Sequence, residues 1–239
     1  MNDDLQQLLK TLKLRRILHI LDRELKHIEG QEVSYSEFLA RLLREEYLDK
    51  DRRATEARLR RANMPEQWTL DTFPWAQQPG VARAQLRELA ELDFISTGTN
   101  VVFIAEPGAG KTGLAISLLR TAVQQGHAGR FIRAQDLFDE MYASLADRST
   151  RKLLNTLVRL PVLVVDELGY LNLKPEQSNI FFKLMEERYV ERNATIITTN
   201  MPYDDWGQFL GNKPLTDALL SRIRHRCITI DIPPGNSLR

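Results

Sequence analysis

Val101-Val102-Phe103-Ile104-Ala105-Glu106-Pro107-Gly108-Ala109-Gly110-Lys111-Thr112-Gly113-Leu114 begins as an apolar run, turns through a loop with two spaced glycines, and continues into the helical stretch ending at Leu119. Strand, glycine loop, then helix is the setting in which the Walker A spacing has physical meaning, and here Ala105 stands where its first glycine is usual. Gly108 and Gly110 let the backbone curl so that successive N–H groups point inward, and Lys111 neutralises charge on the β- and γ-phosphates. The Thr112 hydroxyl can ligate Mg²⁺, and the helix N-terminus adds the positive end of its dipole. The residues expected to hold ATP phosphates are therefore Glu106, Pro107, Gly108, Ala109, Gly110, Lys111, Thr112 and Gly113.

Working outward, further short apolar runs recur at Arg130–Arg133, Val162–Val165, Thr195–Thr199 and Ile228–Ile232, separated by helical segments such as Thr112–Gln125 and Gln177–Arg192. Several runs are continuously apolar rather than alternating, as in parallel strands covered by helices on both faces. The fold class is α/β. An intervening strand between the two Walker strands, Arg130–Arg133, implies the five-stranded parallel sheet of the additional-strand P-loop ATPases. Val162–Val165 ends in Asp166-Glu167, a Walker B pattern. Asp166 can hold the metal through water, and Glu167 can orient or deprotonate the attacking water. Asn200, closing Thr195–Thr199, suits the sensor 1 role of hydrogen bonding that water or the γ-phosphate. Within Leu219-Leu220-Ser221-Arg222-Ile223-Arg224-His225-Arg226, Arg222 is the first choice for an arginine that reaches a neighbouring subunit's γ-phosphate, with Arg224 and Arg226 as alternatives.

The N-terminal part reads differently. Leucine and isoleucine recur at helical steps from Leu5 to Ile28, Gly30 ends that segment, and Ser34 with Glu37 has the spacing of a capping box for a second helix. Lys50 to Arg61 carries six cations against Asp51 and Glu56. Of these, Arg52, Arg53, Arg58, Arg60 and Arg61 are candidates for duplex phosphate contact, although Glu56 can also tie several of them into ordinary intrahelical ion pairs. The aromatic connector Trp68, Phe73 and Trp75 marks a composition shift that puts the domain boundary near residue 66. This predicts a helical domain over 1–66, for DNA, partner or self-assembly contacts, and an ATPase domain over 67–239. The connector aromatics are expected to pack on the ATPase core, with a place beside adenine as the alternative.

Composition bounds the rest. The 239 residues are 43% hydrophobic, with 33 Lys+Arg against 32 Asp+Glu, so no global field draws the chain to nucleic acid and any DNA surface is a local patch. Cys227, the one cysteine, forms no internal disulfide, which fits a reducing cytoplasm. The longest stretch without Asp, Glu, Lys or Arg, Phe94 to Ala105, falls well short of the ~20 apolar residues of a membrane span. A soluble, cytoplasmic protein is expected.

Taken together, GAGKT, VVDELGY, TIITTN, MPYDDWGQF, ALLSRIRHRC and the terminal GNSLR resemble the IstB helper ATPases of insertion-sequence transposons, relatives of the DnaC helicase loaders within the AAA+ group. The resemblance also takes in LKLRRILHILDRE, SYSEFLARLL, RRATEARLRRA and TLDTFPWAQQPG, and so spans nearly the whole chain. Ala105-Glu106-Pro107 departs from the family's more frequent Gly-Pro-Pro, and with GNSLR as the last residues given little room is expected for a separate C-terminal lid. The resemblance implies an ATP- and Mg²⁺-using helper of DNA transposition. Such a helper assembles as a homo-oligomer on double-stranded DNA, remodels it, and recruits or stimulates the transposase of its element, with hydrolysis controlling disassembly. A DnaC-like replicative helicase loader is the closest alternative, and a nucleotide-holding scaffold without turnover is the third.

Overall fold

The computed structural model describes residues 3–169 and 173–233. Tyr170 of the VVDELGY motif and the terminal GNSLR lie outside them. The chain divides into two compact units, the first ending at Ala57 and the second starting at Arg58.

In the first unit, α1 (Asp3–Thr11) and α2 (Arg15–Ile28) replace the single helical segment expected from Leu5 to Ile28. Lys13 adopts a left-handed φ of 57° between them. The α2 start is fixed from elsewhere in sequence, because the Arg16 and Ile17 amides donate to Glu46 Oε2 at 2.8 and 3.0 Å. That buried carboxylate, on α3 (Tyr35–Arg61), satisfies two of the orphan N–H groups and complements the helix dipole. The Ser34–Glu37 capping box forms as expected, Glu37 N–H donating to Ser34 Oγ at 3.2 Å and Ser34 N–H to Glu37 Oε2 at 3.1 Å. Leu9, Ile17, Ile20, Leu21 and Leu42 make the small core of this unit.

The second unit begins earlier than the aromatic connector suggested. Ala62 is fully buried and its carbonyl accepts the Phe131 amide at 2.7 Å, while Arg58 Nε donates to the Val123 carbonyl at 3.3 Å. Residues 58–66 therefore pack with the ATPase domain, where composition alone placed them with the charged helix. After α4 (Arg83–Leu89) and α5 (Asp93–Thr97), the chain alternates strands and helices. In order these are β1 (Asn100–Ala105), α6 (Lys111–Gln124), β2 (Gly129–Arg133), α7 (Ala134–Ala146), α8 (Thr150–Val158), β3 (Val162–Leu168) and α9 (Pro175–Val190). Next come β4 (Ala194–Thr199), α10 (Trp206–Leu210), α11 (Lys213–His225) and β5 (Cys227–Ile232). All five expected runs are strands, paired in parallel in the order β2-β3-β4-β1-β5. Their apolar continuity has the expected cause. Val101, Phe103, Val162, Val164 and Ile196 face one core, whereas Val102, Leu163, Val165 and Ile197 face the other. In the sheet β4 lies between the two Walker strands, whereas Arg130–Arg133 (β2) comes between them only in sequence and pairs on the far side of β3, so the carboxyl ends of β1, β4 and β3 stand side by side. No helix follows β5 among the described residues.

Candidate ATP site

Gly108 and Gly110 have φ of 85° and 87°, left-handed values that a side chain rarely tolerates, so the loop needs glycine at both positions to curl from β1 into α6. Lys111 is buried and its Nζ donates to the Ala105 and Glu106 carbonyls at 2.7 and 2.9 Å, folding the cation back over the loop it serves. Thr112 Oγ1 donates to Asp166 Oδ1 at 2.8 Å, joining the Walker A helix to the end of β3.

Asp166 is held by a residue that sequence reading missed. Thr198 on β4 donates to the same Oδ1 at 2.6 Å and accepts the Glu167 amide at 2.9 Å. Burial pushes the Asp166 carboxyl above its usual range, opposed by these two hydroxyls and, more weakly, by the Arg133 charge. The signal for Thr198 was present in the TIITTN run, since the residue before the last of a strand flanking Walker B can face its carboxylate. It becomes readable only once β4 is known to lie next to β3. The same pairing explains Glu167. The β3–β4 register slips between Val165–Ile197 and Leu168–Thr199, and in this bulge Glu167 takes φ 58°, exposed at the strand end. A non-glycine residue held left-handed is strained by order 1 kcal/mol or more, and bulges next to active sites re-aim a side chain.

Together these residues line a cleft of about 270 Å³, bounded by Pro107, Gly108, Gly110 to Gly113, Asp166 and Glu167, with Arg133 from the end of β2. Its remaining wall comes from the connector. Trp68 and Phe73 line the same cleft, and a Cβ placed on Gly113 would stand 3.3 Å from Trp68 Cδ2, so the indole lies against the first turn of α6. Arg120 Nε pins this wall by donating to the Trp68 carbonyl at 3.1 Å. Phe73 is buried, and Trp75 meets it edge-on at 4.8 Å between centroids. The connector thus both packs on the core, as expected, and borders the nucleotide cleft.

The donor set fits Mg²⁺, a hard cation that takes oxygen ligands, usually one or two carboxylates together with substrate phosphates. One buried carboxylate oxygen, with the Thr112 hydroxyl 2.8 Å from it, is such a set. No cluster of three or more His, Cys, Asp or Glu able to hold a metal by themselves occurs among the described residues.

Other expected site residues lie apart. Asn200 does not line the phosphate cleft. It borders a shallow groove with Ala105, Glu106 and Asp231, and its buried Oδ1 lacks a hydrogen-bond partner. Arg222 is also outside the cleft, donating to the Ala218 carbonyl at 2.8 Å and to Glu186 Oε1 at 3.1 Å while lying over the Phe182 ring. Arg224 and Arg226 lie over Tyr203 and Tyr189. The five candidate DNA-contacting arginines share α3 and its end but not one environment. Arg52 pairs with Asp49 and Glu56 at 2.7 and 2.8 Å, and Arg53 with Asp49 at 2.8 Å. Arg58 is half-buried against Val123, whereas Arg60 and Arg61 are exposed, with no ion-pair partner among the described residues.

The model of the IstB-like ATP binding protein family matches residues 7–239. The chain belongs to that family. An ATP-binding protein of insertion sequence IS21 from Pseudomonas aeruginosa is 35% identical over 236 residues, covering 99% of this chain and 88% of the relative. Its counterpart in insertion sequence IS5376 of Geobacillus stearothermophilus is 36% identical over 207 residues, 87% and 82% of the two chains. Among solved structures, the DnaC helicase loader superposes with a TM-score of 0.58 at 27% identity, covering 69% of this chain and 96% of the loader. This IstB-like chain has the AAA+ P-loop fold and is an ATPase. No described helix is long and apolar enough to cross a membrane.

Proposed function

We propose that this IstB-like ATPase is a cytoplasmic helper of DNA transposition and recombination, which self-assembles on duplex DNA, remodels it, and recruits or stimulates the transposase of its element. The observation that supports this most is its identity over nearly full length with ATP-binding proteins of insertion sequences. Lys111 and the loop amides hold the ATP phosphates, and Glu167, aimed into the cleft by the bulge, orients or deprotonates the attacking water. Thr112 and Asp166 hold Mg²⁺, which supplies charge neutralisation at the phosphates. Asn200, which borders the loop start at Ala105 and Glu106, is assigned the γ-phosphate sensor role.

Arg222 lies outside its own chain's cleft, bonded to Glu186, and we assign it to a neighbouring subunit's γ-phosphate. An interface that includes the γ-phosphate makes assembly depend on the nucleotide, tight with ATP and loose with ADP, and hydrolysis then times disassembly. The structural likeness to the DnaC loader favours a rival reading, loading of a replicative helicase. Binding to matched duplex and single-stranded DNA, each with ATP, ADP or no nucleotide at one fixed salt concentration, separates the two. ATP-dependent preference for duplex is expected. Preference for single strands would move the assignment to a helicase loader, and no binding in any state would leave a self-assembling ATPase.

A further inference from the structure

Arg148, Arg151, Lys152, Asn155, Thr156 and Arg159 fall at steps of three and four along α8 and its ends, and together they line one shallow surface groove. Residues at such steps share a helix face. The opposite face is apolar and buried through Leu154, Leu157 and Val158, so the polar stripe points outward, and all four of its cations are exposed. The stripe contains no acid. Two carboxylates border it: Glu187 lies 3.6 Å from Arg151, whose side chain is nonetheless 71% exposed, and the Asp147 charge is felt by Lys152. The Asp147 carboxylate is turned to the Ser149 amide at 3.0 Å.

This differs from the middle of α3, where Asp49 and Glu56 neutralise Arg52 and Arg53, and extends further than the two exposed cations Arg60 and Arg61 at that helix's end. The helix carrying the stripe is also anchored from beneath. Arg188 of α9, 1% exposed, donates to the Leu157 and Leu160 carbonyls at 2.6 and 2.9 Å and to Thr195 Oγ1 of β4 at 3.0 Å. Burial pushes the Arg188 pKa down, yet the carbonyls around it accept from a guanidinium that stays charged and clamps the end of α8 to the sheet.

We propose that the outer face of α8 is the phosphate-backbone contact of this protein with duplex DNA, a surface that the helical N-terminal unit does not supply. The proposal rests on the DNA-binding reading above and names the surface that carries it. At 1.5 Å per residue Arg151 to Arg159 spans ~12 Å, with Arg148 in the turn just before the helix. A duplex presents one charge per ~1.7 Å of axis, so several phosphates fall within reach. Arginine and lysine neutralise them, and the Asn155 amide and Thr156 hydroxyl add hydrogen bonds of the kind that fix register without reading sequence. The stripe holds no aromatic side chain on which an unpaired base could stack, which selects duplex over single strand.

The test uses the full chain with Arg148, Arg151, Lys152 and Arg159 all changed to Gln, a 30-base-pair labelled duplex of mixed sequence, and a salt titration in a non-hydrolysable ATP analogue. ATP binding, at a cleft α8 does not line, reports that the variant is folded. Each phosphate contact contributes about 0.9 to the slope of log affinity against log salt, so losing four should lower the slope by about 3.6 and affinity at low salt by tenfold or more. An Arg52→Gln, Arg53→Gln protein should keep the parent slope. An unchanged slope in the α8 variant, with the parent binding duplex, overturns the α8 assignment alone. A parent that binds no duplex overturns the DNA reading and the assignment with it. Loss of ATP-dependent self-association in the α8 variant without loss of duplex binding overturns the proposal in favour of an acidic protein surface as occupant.

Discussion

Asp166 at the end of β3 and Arg52 on α3 are both charged groups with two partners within 2.8 Å, yet they stand in opposite settings. Asp166 is 2% exposed, and its partners are hydroxyls delivered by α6 and β4, elements distant in sequence. Arg52 is 60% exposed, and its partners are carboxylates one helical turn away on the same helix. The buried group costs stability and is held ready for a cation. The exposed pairs contribute little to stability and are screened by salt. A conspicuous charge therefore marks chemistry when the fold converges on it from several elements, and marks solvation when its partners are local.

Substitutions around Asp166 and on α3 can break that comparison. Glu167→Gln should have the largest effect, lowering ATP hydrolysis by about 10²–10⁴-fold while ATP binding persists, because water activation is lost and the phosphate cradle is not. Hydrolysis at the parent rate would show that the bulge aims Glu167 at nothing chemical. Thr198→Val removes one hydroxyl from Asp166 and the acceptor of the Glu167 amide, a loss of about 1–3 kcal/mol that should weaken Mg²⁺-dependent ATP hydrolysis roughly tenfold. With one lowering partner gone, the Asp166 pKa moves further up, so the acid limb of the rate profile should shift to higher pH. An unmoved profile would mean that Thr198 only packs.

Asp166→Asn sharpens the contrast through stability. The folded-state pKa of Asp166 is raised, so its contribution to stability is present at low pH and lost as pH rises through that value. At neutral pH the nucleotide-free Asn variant, relieved of a buried charge, should melt above the parent by about 2 °C, the gap closing on acidification, although its Mg²⁺-dependent ATP hydrolysis is lost. A lower melting temperature at neutral pH would place Asp166 among groups that stabilise the fold by being charged. Arg52→Gln should be the mildest, changing the melting temperature by less than about 1 °C. A shift of several degrees would show that the α3 pairs act as a network.

The five parallel strands and the phosphate loop were legible because glycine spacing and continuous apolar runs are local signals whose meaning scarcely depends on context. Thr198 and Arg133 were not, since each acquires its role only when β4 and β2 are set beside β3. The break at Lys13 escaped because Leu8, Leu9, Leu12, Ile17 and Leu18 keep helical spacing across it, while the Glu46 cap that separates α1 from α2 arrives from 29 residues along the chain. Likewise, Arg58 and Ala62 read as charged helix in composition, whereas their main-chain and side-chain bonds run to Val123 and Phe131.

The most direct test of an ATP site completed by a neighbour is to mix two inactive proteins. Arg222→Ala keeps its phosphate loop and lacks the donated arginine, whereas Lys111→Ala keeps the arginine and lacks the loop cation. Each alone should hydrolyse ATP at least about 10³-fold more slowly than the parent. Mixed under conditions where mass measurement shows joint assemblies, they should recover part of the parent rate, because some interfaces pair an intact loop with an intact arginine. Joint assemblies without any recovery would contradict catalysis by Arg222 across the interface.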